Sequence, residues 1–228
     1  SRALLVDAAG KEVASVTVAH QEMRMQQPMW AEQDPSDWAQ ASFAAVRGVL
    51  QKAGVSGAQV RGVGLSGQMH GLVMLDAAGA VIRPSLIWCD QRSQPQVDFI
   101  HARVGRDNVL RHIANPVLTG FTLPKLLWVR DHEPAHFERC RTVLLPKDYV
   151  RYRLTGEFAT DVADASGTGV FDVVQRKWSV EMMDALGLER SLWPRCYESQ
   201  EVTGTISRAA AQQTGLAEGT PVVGGVGD

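Results

Sequence analysis

A chain of 228 residues that is 45% hydrophobic and 21% charged has a globular composition, with enough length for one large domain or two small ones. Twenty-three Lys and Arg against 25 Asp and Glu leave a net charge of -2, and no basic block occurs, which argues against a nucleic-acid or anionic-membrane surface. No apolar run is long enough to span a bilayer, no signal-peptide pattern opens the chain, and Cys89, Cys140 and Cys196 lie far apart without a C-x-x-C, so neither a disulfide framework nor a zinc site is signalled and a cytoplasmic protein with reduced thiols is expected.

Ala3-Leu4-Leu5-Val6 breaks at Asp7-Ala8-Ala9-Gly10 and resumes at Val13, Val16 and Val18, which predicts a β-hairpin. It begins abruptly at Ser1, so a sheet neighbour upstream is expected. Asp34 is a good N-cap, Pro35 suits the first helical position, and Trp38, Ala41, Ala45, Val46, Val49 and Leu50 recur at helical spacing until Gly54. The apolar residues Val60, Val63 and Leu65 then run into Ser66-Gly67-Gln68-Met69-His70-Gly71, and a second apolar run, Leu72 to Leu75, follows. This reads as a strand, a polar corner and another strand. The corner brings an amide, a thioether and an imidazole together among glycines that permit close approach. In α/β sheets such a corner past a strand end is where small ligands bind. The plain alternative is a β-turn whose histidine faces solvent.

After a turn at Asp76-Ala77-Ala78-Gly79, Leu86-Ile87-Trp88-Cys89-Asp90 reads as a strand that places an aromatic face and a carboxylate beside each other in space, on opposite sides of the strand. A mixed helix is predicted from Arg92 to Val104, a loop at Asn115-Pro116 through Gly120, and a helix from Pro124 to Arg130 bounded by Pro134. Val143-Leu144-Leu145 is a strand, and Pro146-Lys147-Asp148-Tyr149-Val150 opens a helix ending at Thr155-Gly156. Thr160 to Gly169 is expected to be a polar surface loop before the strand Val170 to Val173; no G-x-x-x-x-G-K-[ST] occurs, so it is no P-loop. Helices at Val180 to Leu186 and Ala209 to Thr214 flank a strand at Thr203 to Ile206. Pro221-Val222-Val223-Gly224-Gly225-Val226-Gly227-Asp228 is a buried strand opening into glycines and closing on a carboxylate. Strands alternating with helices throughout predict an α/β fold.

Four stretches carry a family resemblance. Gly64-Leu65-Ser66-Gly67-Gln68-Met69-His70-Gly71 resembles the sugar-binding corner of the xylulokinases within the FGGY carbohydrate kinase family. Trp30-Ala31-Glu32-Gln33-Asp34-Pro35, Gly120-Phe121-Thr122-Leu123-Pro124-Lys125-Leu126-Leu127-Trp128 and Leu144-Leu145-Pro146-Lys147-Asp148-Tyr149 resemble the other motifs of that family, in order. The resemblance implies an actin-like, ribonuclease-H-like α/β fold, with residues 1–228 as the sugar-binding N-terminal domain, incomplete at both ends: the family's first strand and Gly-Thr phosphate loop would precede Ser1 and its ATP domain would follow Asp228. It implies Asp228 as catalytic base, Met69 and His70 as sugar contacts, and Trp88 as the wall against the carbon face of the polyol. The implied reaction converts D-xylulose and ATP into D-xylulose 5-phosphate and ADP, with Mg2+ on the nucleotide. No nucleic-acid or membrane partner is expected, and a homodimer is one option for assembly. Three competing readings follow: another FGGY kinase acting on ribulose, fuculose or glycerol; a non-catalytic sugar-binding module; and a ribonuclease-H-like nuclease. The last is disfavoured by the lack of any basic surplus.

Overall fold

The computed structural model describes residues 1–228, built from fourteen short strands and nine α-helices. Strands β1 (Arg2–Val6) and β2 (Glu12–Thr17) pair antiparallel, and Asp7 closes their turn by accepting the Ala9 and Lys11 amides. Strand β3 (Glu32–Gln33) leads into α1 (Pro35–Ala53). Asp34 caps that helix by accepting the Ser36 amide at 2.8 Å, and Gly54, at φ +65°, ends it. Next come β4 (Ser66–Gly67), β5 (Val73–Leu75) and β6 (Ser85–Leu86), then α2 (Gln94–Val104), α3 (Arg106–Ile113), α4 (Thr122–His132) and α5 (Pro134–Arg139). The chain continues through β7 (Thr142–Leu144), α6 (Pro146–Thr155), β8 (Ala159–Asp161), α7 (Val162–Ala165), β9 (Phe171–Asp172), β10 (Lys177–Trp178) and α8 (Val180–Leu186). It closes with β11 (Arg195–Tyr197), β12 (Val202–Thr205), α9 (Arg208–Thr214), β13 (Pro221–Val223) and β14 (Val226–Gly227).

Strand β5 divides the interior. It pairs antiparallel with β7, and its side chains alternate: Met74 enters a core with Leu72, Leu86, Ile100, Leu126 and Leu127, whereas Val73 and Leu75 enter a second core with Trp38, Phe43, Leu50 and Val222. A strand buried on both faces reads as an unbroken apolar run, which is why Leu72 to Leu75 shows no polar alternation. Two parallel pairings bring distant segments together: β8 on β11, and β4 on β14 with Val226 opposite Ser66 and Gly227 opposite Gly67. The second joins the polar corner to the chain's last glycines.

The motif stretches are tied to one another by buried polar contacts. Glu32, from the Trp-Ala-Glu-Gln-Asp-Pro stretch, accepts hydrogen bonds from Arg83 at 2.6 Å and from Arg92 at 2.9 Å. Arg92 also pairs with the fully buried Asp90 and lies 3.9 Å over the Trp30 ring. Gln33 accepts from both the Trp38 indole and the Gln68 amide, each at 3.1 Å. Gln68 therefore braces the corner against the start of α1.

Three expectations need correction. The strand predicted through Trp88 and Asp90 stops at Leu86, because Ile87 to Asp90 form a turn in which the Asp90 amide bonds the Ile87 carbonyl. Trp88 and Asp90 therefore end in opposite environments, Trp88 being 57% exposed and Asp90 fully buried. Helix α3 falls where no helix was foreseen. The stretch from Thr160 to Gly169 is no surface loop: it forms β8 and α7, and Thr160, Asp161, Asp164, Ala165 and Thr168 are all buried. Its small side chains permit close packing, and its Asp161 is paired with a buried lysine rather than with water.

Candidate active site

Of the sequence-predicted residues, Met69 and Asp228 meet at the β4–β14 pair, with His70 next to Met69 in the chain. The Asp228 amide donates to the Gly67 carbonyl at 3.1 Å, and the Met69 amide donates to Asp228 Oδ1 at 3.3 Å. The Met69 side chain lies along Gly227, where any added side chain would strike its thioether. Glycine at 227 permits that close approach.

His70 adopts φ +67°, a left-handed conformation uncommon outside glycine, and several groups hold it there. Its carbonyl accepts from Lys125 Nζ at 3.0 Å and from Thr122 Oγ1 at 3.1 Å. Its ring stacks on Phe121 with centroids 4.7 Å apart and an interplanar angle of 11°. Nδ1 lies 2.8 Å from the Gly167 carbonyl. A carbonyl only accepts, so Nδ1 carries the hydrogen. Burial, opposed by that hydrogen bond and reinforced by Lys125, lowers the histidine's proton affinity. In the resulting neutral tautomer Nε2 is an acceptor suited to a hydroxyl group.

Lys125 is fully buried, and burial depresses its pKa to about 7. Its Nζ also donates to the Gly120 carbonyl at 2.6 Å, and Gly120 packs against the Trp88 carbonyl. One amine thus connects the backbone of the His70 corner with the backbone supporting Trp88. His70 and Phe121 line a cavity of about 680 Å³ together with Gln91, Gln94, Thr119 and Gly120. Asp228 stands outside it, on an exposed edge.

Beneath β4 and β14 lies a buried charged cluster. Lys147 Nζ is 2.7 Å from Asp148, 2.9 Å from Asp161 and 3.7 Å from Asp164. All three cysteines are unpaired, and burial pushes the Cys140 thiol up to about 11 and the Cys196 thiol up to about 12.

Phe121, Thr122, Lys125, Lys147 and Gly167 were not anticipated as site residues. Phe121, Thr122, Lys125 and Lys147 fall inside stretches that carry the family resemblance, which was a usable signal. Gly167 had none, since it meets His70 across 97 positions.

An imidazole with one uncommitted nitrogen, an exposed carboxylate and an exposed tryptophan thus sit on an α/β frame. The chain belongs to the FGGY family of carbohydrate kinases, whose N-terminal domain matches residues 1–228. It is 43% identical over 201 residues to the xylulose kinase of Escherichia coli K12, covering 88% of this chain and 40% of that protein. It is 37% identical over 227 residues to the xylulose kinase of Bacillus subtilis 168, covering 100% of this chain and 45% of that one. The crystal structure of the Rhodospirillum rubrum xylulose kinase superposes on the whole chain with a TM-score of 0.92 at 31% identity, over 46% of its own length. The chain thus spans less than half the length of the relatives it matches, and the actin-like, ribonuclease-H-like α/β architecture is that of the FGGY sugar kinases.

Proposed function

We propose that these residues form the sugar-binding part of a kinase that phosphorylates D-xylulose at its terminal hydroxyl. The observation that carries the reading is the meeting of Asp228 with the Met69–His70 corner across β4 and β14. The names of the relatives support the substrate. A sugar hydroxyl is a weak nucleophile, so a carboxylate within hydrogen-bond reach takes its proton as the oxygen attacks phosphorus. Asp228 is that base. His70 Nε2 accepts a hydrogen bond from another sugar hydroxyl, Met69 lines the corner, and the exposed Trp88 ring offers an apolar wall to the carbon face.

The family implies ATP with Mg2+. The carboxylates of this chain do not fit a metal ion: Asp148, Asp161 and Asp164 surround the Lys147 ammonium, and no three His, Cys, Asp or Glu side chains are grouped to hold one. The residues described here therefore account for the sugar's side of the reaction, and no step is assigned to the metal.

Calorimetric titration of residues 1–228 with D-xylulose, D-ribulose, L-fuculose and glycerol tests the reading. Binding of xylulose in preference to the others is expected, with no ADP release in a coupled assay of residues 1–228 alone. Preference for glycerol or ribulose would move the protein to another branch of the family. No sugar binding at all would remove the corner as a site.

A further inference from the structure

Lys147 occupies the point where the two halves of the candidate site join. It is the second residue of α6 and is 3% exposed, with its side chain wholly buried. Its side chain runs beneath both β4 and β14. Its Cβ is 3.2 Å from where a side chain on Gly67 would start, and its Cδ is 3.2 Å from the same point on Gly225. At its tip Nζ donates to the Gly224 carbonyl at 3.1 Å and to Asp148 Oδ1 at 2.7 Å, and it lies 2.9 Å from Asp161 Oδ1. Two of the ammonium's three N–H bonds are taken by Gly224 and Asp148, and Asp161 is held as an ion pair without a hydrogen bond to Oδ1.

Asp164 is left over. Its nearer oxygen is 3.7 Å from Nζ, neither oxygen has a hydrogen-bond partner, and the residue is fully buried. An ionised carboxylate in that position is costly. Burial raises the Asp164 pKa well above its ordinary value against the pull of Lys147, and Asp148, Asp161 and Asp228 add to the effect. Asp161 extends the connection: its Oδ2 accepts from Ser199 Oγ at 2.8 Å, and the Ser199 carbonyl accepts the Gly225 amide at 2.9 Å.

We propose that Lys147 is the positioning residue for Asp228: by holding the Gly224 carbonyl and filling the space under Gly67 and Gly225, it fixes the register of β14 on β4. Gly225 lies at φ +86°, and a side chain there would collide with the Leu65 carbonyl. The approach of the two strands thus depends on glycine above and on Lys147 below. The catalytic meaning of this register rests on the reading of Asp228 as base, but the register itself does not.

The test is amide hydrogen exchange on the double variant Lys147→Met/Asp161→Asn, which removes one buried charge of each sign. Asparagine at 161 still caps α7. The amides of Gly225 and Val226, bonded to Ser199 and Leu65, are expected to exchange about tenfold faster or more, with the β1–β2 and β5–β7 amides unchanged. Unchanged rates at Gly225 and Val226, or equal acceleration throughout the chain, would overturn the proposal. Should the double variant fail to fold, the wild-type chain labelled with 15N-lysine decides. A Lys147 ammonium whose protons exchange slowly enough to give their own resonance is expected; exchange as fast as that of the exposed Lys11 and Lys177 would overturn the proposal. Neither readout depends on xylulose being the substrate.

Discussion

His70 has a strained backbone, a stacked ring and one committed nitrogen, so its remaining nitrogen is the group free to bond a ligand. Replacing it with alanine is expected to weaken xylulose binding by about 1–3 kcal/mol, the cost of leaving a buried polar partner unmatched. Titration checks this, and unchanged affinity would place His70 outside the sugar site. Asp228 makes a different prediction, because proton removal matters only as the new O–P bond forms. In a chain of the relatives' full length, Asp228→Ala is expected to lower kcat by about 10²–10⁴-fold with a far smaller change in xylulose affinity. Near-normal kcat in a folded variant would leave the loop with only a structural role. Lys125 carries a pH signature. Its neutral amine has the two N–H bonds needed for the His70 and Gly120 carbonyls, and its pKa is about 7 in the fold against 10.5 in the unfolded chain. Between those values the unfolded chain binds more protons, so this residue's contribution to stability rises with pH, by at most about 1.4 kcal/mol per pH unit, and its penalty is fully present below about pH 7. Asp164 slopes the opposite way above 3.8, since its folded form retains the proton. Asp90, Cys89 and Arg92 also act on Lys125. Comparing melting curves of the wild type and Lys125→Met from pH 6 to 9 isolates the lysine: the wild type should gain stability relative to the variant as pH rises, and parallel curves would refute the assignment.

The elements position the site through backbone contact at glycines. The turn after α7 places Gly167 against the His70 ring, and a Cβ added there would lie 2.6 Å from Nδ1. A ring cannot yield as a flexible chain end does, so Gly167→Ala must displace the imidazole. The expected result is a loss of xylulose affinity comparable to that of His70→Ala, with stability reduced by about 1–3 kcal/mol from overpacking. Titration and denaturant melts measure both. Retained affinity would mean that the ring's seat on Gly167 is unimportant. Helix α4 contributes through its first turn, where Thr122 and Lys125 share one face and reach the same carbonyl. Helix α1 contributes indirectly: its cap and Trp38 fix Gln33, which fixes Gln68.

At the scale of the whole molecule, β1 pairs only with β2, and Gly62 and Gly64 form no backbone hydrogen bond on their side of the strand that ends in β4. Between these edges lies a cavity of about 1000 Å³ lined by Leu5, Phe43, Val46, Val63 and Leu65, with Leu4 and Val6 about half exposed on β1. Open apolar edges are templates for further strand pairing. Residues 1–228 alone are therefore expected to self-associate with rising concentration in sedimentation velocity, and Leu4→Lys should suppress it. A monomer at all concentrations would show that the edges are protected.

How much of this was legible in the chain depends on distance along it. The hairpin and the first helix with its Asp34 and Gly54 caps were readable because each is decided by residues within one turn or one strand pair; the strand read over Val60, Val63 and Leu65 falls instead on Ser66–Gly67, because its partner β14 lies far along the chain. Met69 and His70 were expected from a stretch resembling a family, and Trp88 and Asp228 from what that resemblance implies, not from any spacing that linked them. Tertiary structure alone decided that Asp228 meets Met69 across 159 positions, because that meeting depends on parallel pairing of two-residue strands with no local signature. It alone decided the fates of Trp88 and Asp90, since Asp90 is drawn inward by Arg92 and the Ala31 amide while Trp88 is left at the surface. It also turned Thr160 to Gly169 from an apparent surface loop into buried structure. Polar residues are read as exposed until their partners are known, and the partner here, Lys147, comes from another helix.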